Sequence, residues 1–256
     1  MIRRFALVAL IVAVFSLFAV NARLLADANP IDYGKTVSGE ISDKAKEVRY
    51  EFEASKGDIA VIQMLPGVEK TLYGAHVKLE DKDGKALADS AALLVFGRLG
   101  EIVAAEISAD GTYAITVYVD KSWKDDAGTF DLTLLKAQVL EAGKSAAGEV
   151  ESTPKGKRAS YSAVYALSST DDVMLSYAKG KGSYSPSVIV FSLETGNSLY
   201  PLSYMGGRAL GAGSLKVDGD RNFRIVAVGN LNFGDQSSAD KSESASFTLS
   251  VAAPSK

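Results

Sequence analysis

The sequence carries one eight-residue stretch twice, first as Gly34-Lys35-Thr36-Val37-Ser38-Gly39-Glu40-Ile41 and again as Gly143-Lys144-Ser145-Ala146-Ala147-Gly148-Glu149-Val150. The copies are identical or closely similar at six of the eight positions and differ at Val37/Ala146 and Ser38/Ala147. Each copy opens a segment of just over one hundred residues. We therefore predict one unit used twice in tandem, with the first domain at residues 29–138 and the second at 139–256.

Both units read as short strands separated by turns. Residues 48–53 alternate apolar and charged side chains, which is the period of a strand with one buried face. Residues 59–65 are a continuous apolar run that Pro66-Gly67 ends. Asp83-Gly84 and Asp110-Gly111 mark tight turns. The same order returns in the second unit, so we predict an all-β fold of two antiparallel β-sandwiches.

Alternation also predicts which side chains form the two cores. In the first unit the predicted core residues are Phe52, Ile59, Val61, Val77, Leu79, Tyr113, Ile115, Phe130 and Leu132. In the second unit they are Tyr161, Met174, Val188, Val190, Phe223, Ile225, Phe247 and Leu249.

The first 28 residues have the pattern of a secretory signal peptide. Arg3 and Arg4 precede an apolar run at 5–20, and small residues suitable for cleavage follow it. The run is shorter than the roughly 20 residues that a membrane-spanning helix needs. We predict Sec export to the periplasm or the extracellular space. The chain has no cysteine, which excludes a lipoprotein anchor, disulfides and thiolate metal sites.

The charge pattern excludes two classes of partner. Residues 1–28 contain three arginines and one aspartate, so the formal net charge falls from −3 to −5 without them. A mildly acidic chain with interspersed signs is not typical of a nucleic-acid-binding protein. It also shows no basic amphipathic stretch for a membrane surface.

The spaced motifs resemble a known family. Gly-Lys-Thr/Ser followed by Gly-Glu-Ile/Val, the strand at Gly111-Thr112-Tyr113 and the closing Phe-x-Leu-x-Leu at 130–134 look like tandem bacterial pre-peptidase C-terminal domains. The likeness covers most of 31–136 and, more loosely, 140–252. It implies jelly-roll-like sandwiches that serve secreted proteins as accessory or binding modules, some of which bind calcium. This chain departs from the family because no peptidase accompanies the modules.

Several loop residues are candidate ligand contacts. Arg98 and Arg208 each lie between glycines, where an arginine either receives a carboxylate or phosphate or pairs with a neighbouring acid. Trp123, together with Tyr200 and Tyr204, could form a flat sugar-stacking platform, with a packing lid as the alternative.

Calcium is the one cofactor that the sequence suggests. Asp81 and Asp83 alternate before Gly84, as acids do in calcium loops, although Asp-Gly is also a hairpin signal. A calcium site built there would borrow further loop acids, of which we select Asp120 and Asp125.

Catalytic chemistry has little support in the sequence. His76 is the only histidine, and no motif supplies it with a nucleophile or a metal partner. We therefore predict a non-enzymatic, exported accessory or binding protein whose ligand is an unknown protein or glycan of the cell envelope. The alternative is a structural envelope protein that self-associates or joins a larger assembly.

Overall fold

The computed structural model describes residues 28–67, 72, 74–90, 101–123, 125–151, 161–168, 172–182, 187–192, 198–201, 212–217, 224–229 and 244–252. The predicted signal peptide up to residue 27 lies outside these ranges, as do Arg98, Arg208 and Tyr204. Within the ranges no helix is long and apolar enough to span a membrane.

The described residues form eighteen strands. The first nine are β1 (Asn29–Pro30), β2 (Lys35–Ile41), β3 (Glu47–Ala54), β4 (Ile59–Pro66), β5 (Ala75–Glu80), β6 (Ala86–Asp89), β7 (Glu101–Glu106), β8 (Gly111–Val119) and β9 (Gly128–Lys136). The next nine are β10 (Gln138–Glu141), β11 (Ser145–Glu151), β12 (Tyr161–Ser168), β13 (Val173–Gly182), β14 (Ser187–Ser192), β15 (Ser198–Pro201), β16 (Ala212–Val217), β17 (Arg224–Gly229) and β18 (Ser244–Ala252).

These strands pair into four sheets. Sheet A has the order β1-β3-β8-β5-β6 and sheet B the order β2-β9-β4-β7. Sheet C has the order β10-β12-β17-β14-β15 and sheet D the order β11-β18-β13-β16. Sheets A and B form a first sandwich, and sheets C and D form a second. Adding nine to each strand number of the first sandwich gives the strand order of the second.

Each sandwich has jelly-roll connectivity. Strands β2 to β9 form two four-stranded antiparallel sheets in the orders β2-β9-β4-β7 and β3-β8-β5-β6, as in jelly rolls. The predicted all-β sandwich fold is therefore confirmed. Two edge strands add parallel pairs to these antiparallel sheets, because β1 pairs with β3 and β10 with β12 in parallel. These lead-in strands each run along one sheet before the chain crosses to the other.

The first glycine of the repeated stretch makes that crossing. Gly34 has a φ of 79° and Gly143 a φ of 81°, in the left-handed region that glycine adopts without a Cβ penalty. Each N–H donates to a carbonyl of the closing strand, at Leu134 and Val251, and both N···O distances are 2.7 Å. The turn therefore leads β1 into β2 and β10 into β11 with matching hydrogen bonds.

The second glycine of the stretch lies under an aromatic ring. Gly39 on β2 is opposite Phe130 on β9, and a Cβ at Gly39 would overlap the Phe130 Cζ. Phe130 is fully buried and meets Tyr50 edge-to-face, with ring centroids 6.3 Å apart. Only a residue without a side chain lets this ring close over the edge strand.

The second sandwich repeats the contact. Gly148 on β11 is opposite Phe247 on β18, and its Cβ would come within 2.8 Å of the Phe247 Cζ. Phe247 meets Tyr165 edge-to-face, with centroids 6.4 Å apart. We refer to Gly39–Phe130–Tyr50 and Gly148–Phe247–Tyr165 as the two glycine–aromatic contacts. They establish which residues correspond between the sandwiches, Tyr50 with Tyr165 and Phe130 with Phe247.

All nine residues predicted to form the core of the first sandwich are buried. Ile59 and Val61 nevertheless face away from that core. In the second sandwich Val188, Val190, Phe247 and Leu249 are buried in the core as predicted, and Ile225 is buried but faces away from it. The side chains of Tyr161 and Phe223 lie outside the described part.

Met174 is a wrong core prediction. Its neighbours Val173 and Leu175 are buried between sheets C and D, and Met174 is half-buried on the outer face of sheet D. Three consecutive apolar residues do not show which alternate set faces inward, because alternation is the only signal of the face.

A third apolar cluster joins the sandwiches. The outer face of sheet B packs on the outer face of sheet C through Ile59, Val61, Ile102, Ala104, Ala137, Val164, Ala166 and Ile225. The four sheets therefore stack in the order A, B, C, D. The domain limit between residues 138 and 139 stays a prediction, and Gln138 already pairs with Tyr165 of the second sandwich.

We predict that Gly39→Ala destabilises the protein by about 1–3 kcal/mol, because the added Cβ overlaps a buried ring. Chemical denaturation of the variant and of the exposed control Lys35→Ala measures the effect. Combining Gly39→Ala with Phe130→Leu should cost less than the sum of the single changes, since the smaller side chain makes room. Strict additivity, or a neutral Gly39→Ala, would contradict the steric role of the ring.

A second prediction concerns the cluster between sheets B and C. Val61→Asp should cost on the order of 3 kcal/mol, because it places a carboxylate without a partner in an apolar contact. Met174→Asp, at the matching position of sheet D, should cost less than about 1 kcal/mol because that side chain borders solvent. Urea unfolding measures both, and equal costs would show that sheets B and C do not pack in solution.

Candidate functional site

The outer face of sheet A is covered by polar and charged side chains. Strands β3, β5, β6 and β8 point alternate residues away from the core, and the register brings these residues into rows across the sheet. We call this surface the charged face. Its members are Glu47, Arg49, Glu51, Glu53, His76, Lys78, Glu80, Asp89, Thr116 and Tyr118.

Glu80 is the centre of the charged face. Its carboxylate accepts from Arg49 Nη1 at 3.2 Å and from Thr116 Oγ1 at 2.9 Å, and it lies 2.8 Å from Lys78 Nζ. The residue is only 7% exposed, so the two cations and the hydroxyl compensate a nearly buried charge. Arg49 and Lys78 thus both contact the Glu80 carboxylate.

The remaining charge of the face is acidic. Glu47 and Glu53 are exposed, and among the described residues no cation lies within 4.0 Å of either carboxylate. Glu53 accepts a 2.6 Å hydrogen bond from Thr112 Oγ1. Glu51 lies 3.8 Å from Arg49 Nε, which is beyond hydrogen-bond distance. The strand β3 thus presents a row of glutamates beside a saturated ion-pair centre.

His76 lies at one end of the charged face. Its ring is 5.7 Å from the Tyr118 ring, and its Nδ1 is 4.0 Å from Glu101 Oε2 at the start of β7. Glu101 raises the pKa of His76 above its ordinary value, and Asp89 and Asp120 act in the same direction, while burial opposes them. This ion pair links sheet A to sheet B.

Tyr118 connects His76 to the edge strand β6. Its hydroxyl donates a 2.8 Å hydrogen bond to Asp89, and Lys78 Nζ lies 5.9 Å from the ring centroid. Burial and this hydrogen bond raise the pKa of Tyr118 well above its ordinary range. The hydroxyl is therefore held as a neutral donor and is unsuited to act as a base.

The loop after β8 places Trp123 at the same end of the sandwich. Residues Lys121–Trp123 form a 3₁₀ turn in which Asp120 accepts from the Ser122 N–H and hydroxyl. One side of the Trp123 ring covers Gly74, where a Cβ would overlap the Trp123 Cγ. Asp126 holds Gly74 through its N–H at 2.8 Å. The indole is therefore fixed from behind although it is 53% exposed.

The structure divides the four acids of the predicted calcium site into two pairs. Asp81 and Asp83 lie in the turn after β5, and Asp120 and Asp125 lie in the loop after β8. Asp120 N donates to the Gly74 carbonyl just before β5, whereas Asp81 follows the last residue of β5. The six residues of β5 span about 20 Å. Asp81 Oδ1 accepts from the backbone N–H of Asp83 and Lys85, as expected of a turn.

The other acids of that prediction are placed as follows. Asp83 pairs with Lys82, and Asp125 is exposed in the Trp123 loop. Across the described ranges no group of three or more His, Cys, Asp or Glu side chains could hold a metal ion. Calcium binding stays a prediction.

The charged face was not among the predicted site residues. Its signal in the sequence is the alternation of Glu47, Arg49, Glu51 and Glu53, which the prediction used only to assign a strand. The matching outer face of sheet C is buried against sheet B, so the charged residues on the outer face of sheet A mark a difference between the two sandwiches. Arg98 and Arg208 stay predictions, because both lie outside the described residues. The side chain of Tyr200, on β15, also lies outside them.

Comparison with known proteins yields structural similarities alone, because no family model and no curated protein matches the sequence. The chain is similar to the pre-peptidase C-terminal domain of a collagenase from Bacillus anthracis, with 18% identity and a TM-score of 0.34. That match covers 42% of this chain and 94% of the other. The family of that domain is the one that the sequence motifs resemble.

Two further solved structures are similar. PliG of Aeromonas hydrophila, a periplasmic inhibitor of g-type lysozyme, shares 11% identity over 43% of this chain and 96% of its own, with a TM-score of 0.35. A protein of Eubacterium rectale shares 11% identity over 86% of this chain and 74% of its own, with a TM-score of 0.28.

We predict that the His76 ion pair makes stability depend on pH. Because the folded state raises the pKa of His76, its stabilising contribution is complete below the ordinary value of 6.5 and is lost as pH rises through the raised pKa. The melting temperature of the parent should exceed that of His76→Gln by more at pH 5.5 than at pH 8.5.

Thermal melts of the parent, His76→Gln and Glu101→Gln across this range provide the test. Glu101→Gln should remove most of the difference, since Glu101 is the largest cause of the shift. Parallel curves for the parent and His76→Gln would show that the ion pair contributes nothing in solution.

Proposed function

We propose that this chain is an exported, non-enzymatic binding protein that presents the charged face to a basic protein partner. The two sandwiches have the same strand order but use the outer face of their five-stranded sheet differently. Sheet C is closed by sheet B, while the same face of sheet A is left with charged side chains at the end of the stack.

The substitutions between matching positions support this division. Counted from Tyr50 and Tyr165, Arg49 and Glu51 of sheet A stand where sheet C has Val164 and Ala166. The apolar pair is buried against the first sandwich, and the charged pair borders solvent. One copy of the unit therefore uses this face to hold the chain together, which leaves the other copy free to bind a partner.

Charge favours a basic partner. Arg49 and Lys78 are engaged with Glu80, and Arg49 also lies 3.8 Å from Glu51. Among the described residues no cation lies within 4.0 Å of the carboxylates of Glu47 and Glu53, which add negative charge to the face. Complementary potentials steer encounter and select partners more than they add affinity. A protein with lysines and arginines on its surface is the class that this arrangement attracts.

The alternative of a self-associating envelope protein has less support. A longer stack would need sheet D to offer the apolar face that sheet B offers. Val61 pairs with Leu135 in sheet B, and the matching pair in sheet D is Met174 with Ala252. Ile59 is matched by Asp172, so the stack is less apolar where a third sandwich would sit.

Charge reversal on β3 tests the proposed function. The variant Glu47→Lys/Glu51→Lys/Glu53→Lys should bind horse cytochrome c, a basic protein, at least about tenfold more weakly than the parent in 50 mM salt. The control Glu40→Lys/Glu106→Lys/Glu149→Lys makes the same change in net charge at exposed positions elsewhere.

Isothermal titration calorimetry measures these affinities. The control should lose no more than about threefold, and binding by the parent should weaken steeply between 50 and 300 mM salt. Equal losses of affinity in the two triple variants would show that net charge alone explains the binding. That result would contradict a binding role for the charged face.

A further inference from the structure

Trp123 stands out among the exposed side chains. It is the only tryptophan of the chain. Within the described ranges, the large exposed hydrophobic side chains are Trp123 and Val139, each 53% exposed. Val139 lies on the edge strand β10 of the second sandwich, whereas Trp123 follows β8 and packs on Gly74, at the end of the first sandwich where His76 lies. More than half of the Trp123 surface therefore stays open to solvent.

The indole is held in a fixed orientation. Its inner side covers Gly74, and the loop is closed by hydrogen bonds from Trp123 N to the Asp120 carbonyl at 2.9 Å and from Asp126 N to the Trp123 carbonyl at 2.8 Å. A preorganised aromatic side chain loses little conformational entropy when it binds, which is why tryptophan is frequent among interface residues of high energy.

The loop that carries the indole has more acids than bases. Asp120 and Asp125 flank the 3₁₀ turn, Asp126 lies behind it, and Lys121 is the base of the loop that the structure describes. From outside the loop, Lys46 donates through its Nζ to the Asp126 carbonyl at 3.2 Å. Lys124, the second base of the sequence here, lies outside that description. The field of Asp120 reaches the charged face, since it raises the pKa of His76 and of Tyr118.

We infer that Trp123 is the anchor of the charged face and that its outward side receives an arginine side chain of the basic partner. This inference rests on the proposed function. A guanidinium stacks flat on an indole through cation–π attraction and can donate to a neighbouring carboxylate in the same plane. Trp123 supplies the ring, and Asp125, exposed in the same loop, supplies the carboxylate.

A single tryptophan allows the site to be observed without a label. Titration with an acetylated, amidated (Gly-Arg)₄ peptide should change the Trp123 fluorescence in a saturable way. The matched (Gly-citrulline)₄ peptide keeps the shape but lacks the charge, and it should bind about three- to thirtyfold more weakly. An N-acetylglucosamine tetramer should leave the fluorescence unchanged. A saturable response to this sugar and none to the arginine peptide would overturn the inference in favour of a glycan site.

Two variants test the residue itself by calorimetry with the (Gly-Arg)₄ peptide. Trp123→Ala should weaken binding about three- to thirtyfold, and Val139→Ala, the equally exposed control, should not change it. Gly74→Ala keeps the indole but displaces its ring, so it should weaken binding while a normal far-UV spectrum shows an intact fold.

The outcomes separate this inference from the proposed function. If the β3 charge-reversal variant loses affinity for cytochrome c while Trp123→Ala keeps its affinity for the (Gly-Arg)₄ peptide, the charged face binds without Trp123 and the inference is wrong. If neither variant loses binding, both the inference and the proposed function fail. Loss in both variants, with citrulline discrimination, supports the two together.

Discussion

The closing of a phenylalanine ring over a glycine of the edge strand is the contact on which each sandwich depends. Phe130 can bury itself between the sheets and against Tyr50 only because Gly39 has no side chain. The same geometry recurs at Gly148 and Phe247. It joins the first long strand of each sandwich to the last, so it closes the jelly roll where the chain's most distant segments meet.

Identical closure leaves the outer faces free to differ, and their difference gives the molecule its organisation. The inner faces must match in both copies because they pack around the same ring contact. The outer faces carry no such constraint, and a strand places alternate residues on them. Arg49 and Glu51 in one copy thus correspond to Val164 and Ala166 in the other. An apolar outer face holds the two sandwiches together, and a charged outer face ends the stack.

The sequence predicts the inner half of this arrangement better than the outer half. Alternation and the repeated stretch give the all-β class and the buried positions of the first sandwich, because inner faces have a strict period. Continuous apolar strands such as β4 and β12 are buried on both faces, and their sequence does not say what covers the second one. The charged face was missed for the same reason, since alternating glutamates read as an ordinary solvent face until the structure shows that the matching face is closed. The separation of Asp81 from Asp120 by the length of β5 depends on strand pairing, which loop composition does not encode.

We propose that the outer face of sheet A binds a basic protein and that the outer face of sheet D, at the other end of the stack, does not. Two-dimensional NMR of the isotopically labelled protein, titrated with unlabelled cytochrome c, tests it directly. We expect shift changes in β3, β5, β8 and residues 120–126, with the resonances of β11, β13 and β18 unmoved. Shift changes that centre on sheet D, or that spread evenly over the acidic residues of both sandwiches, would contradict the account.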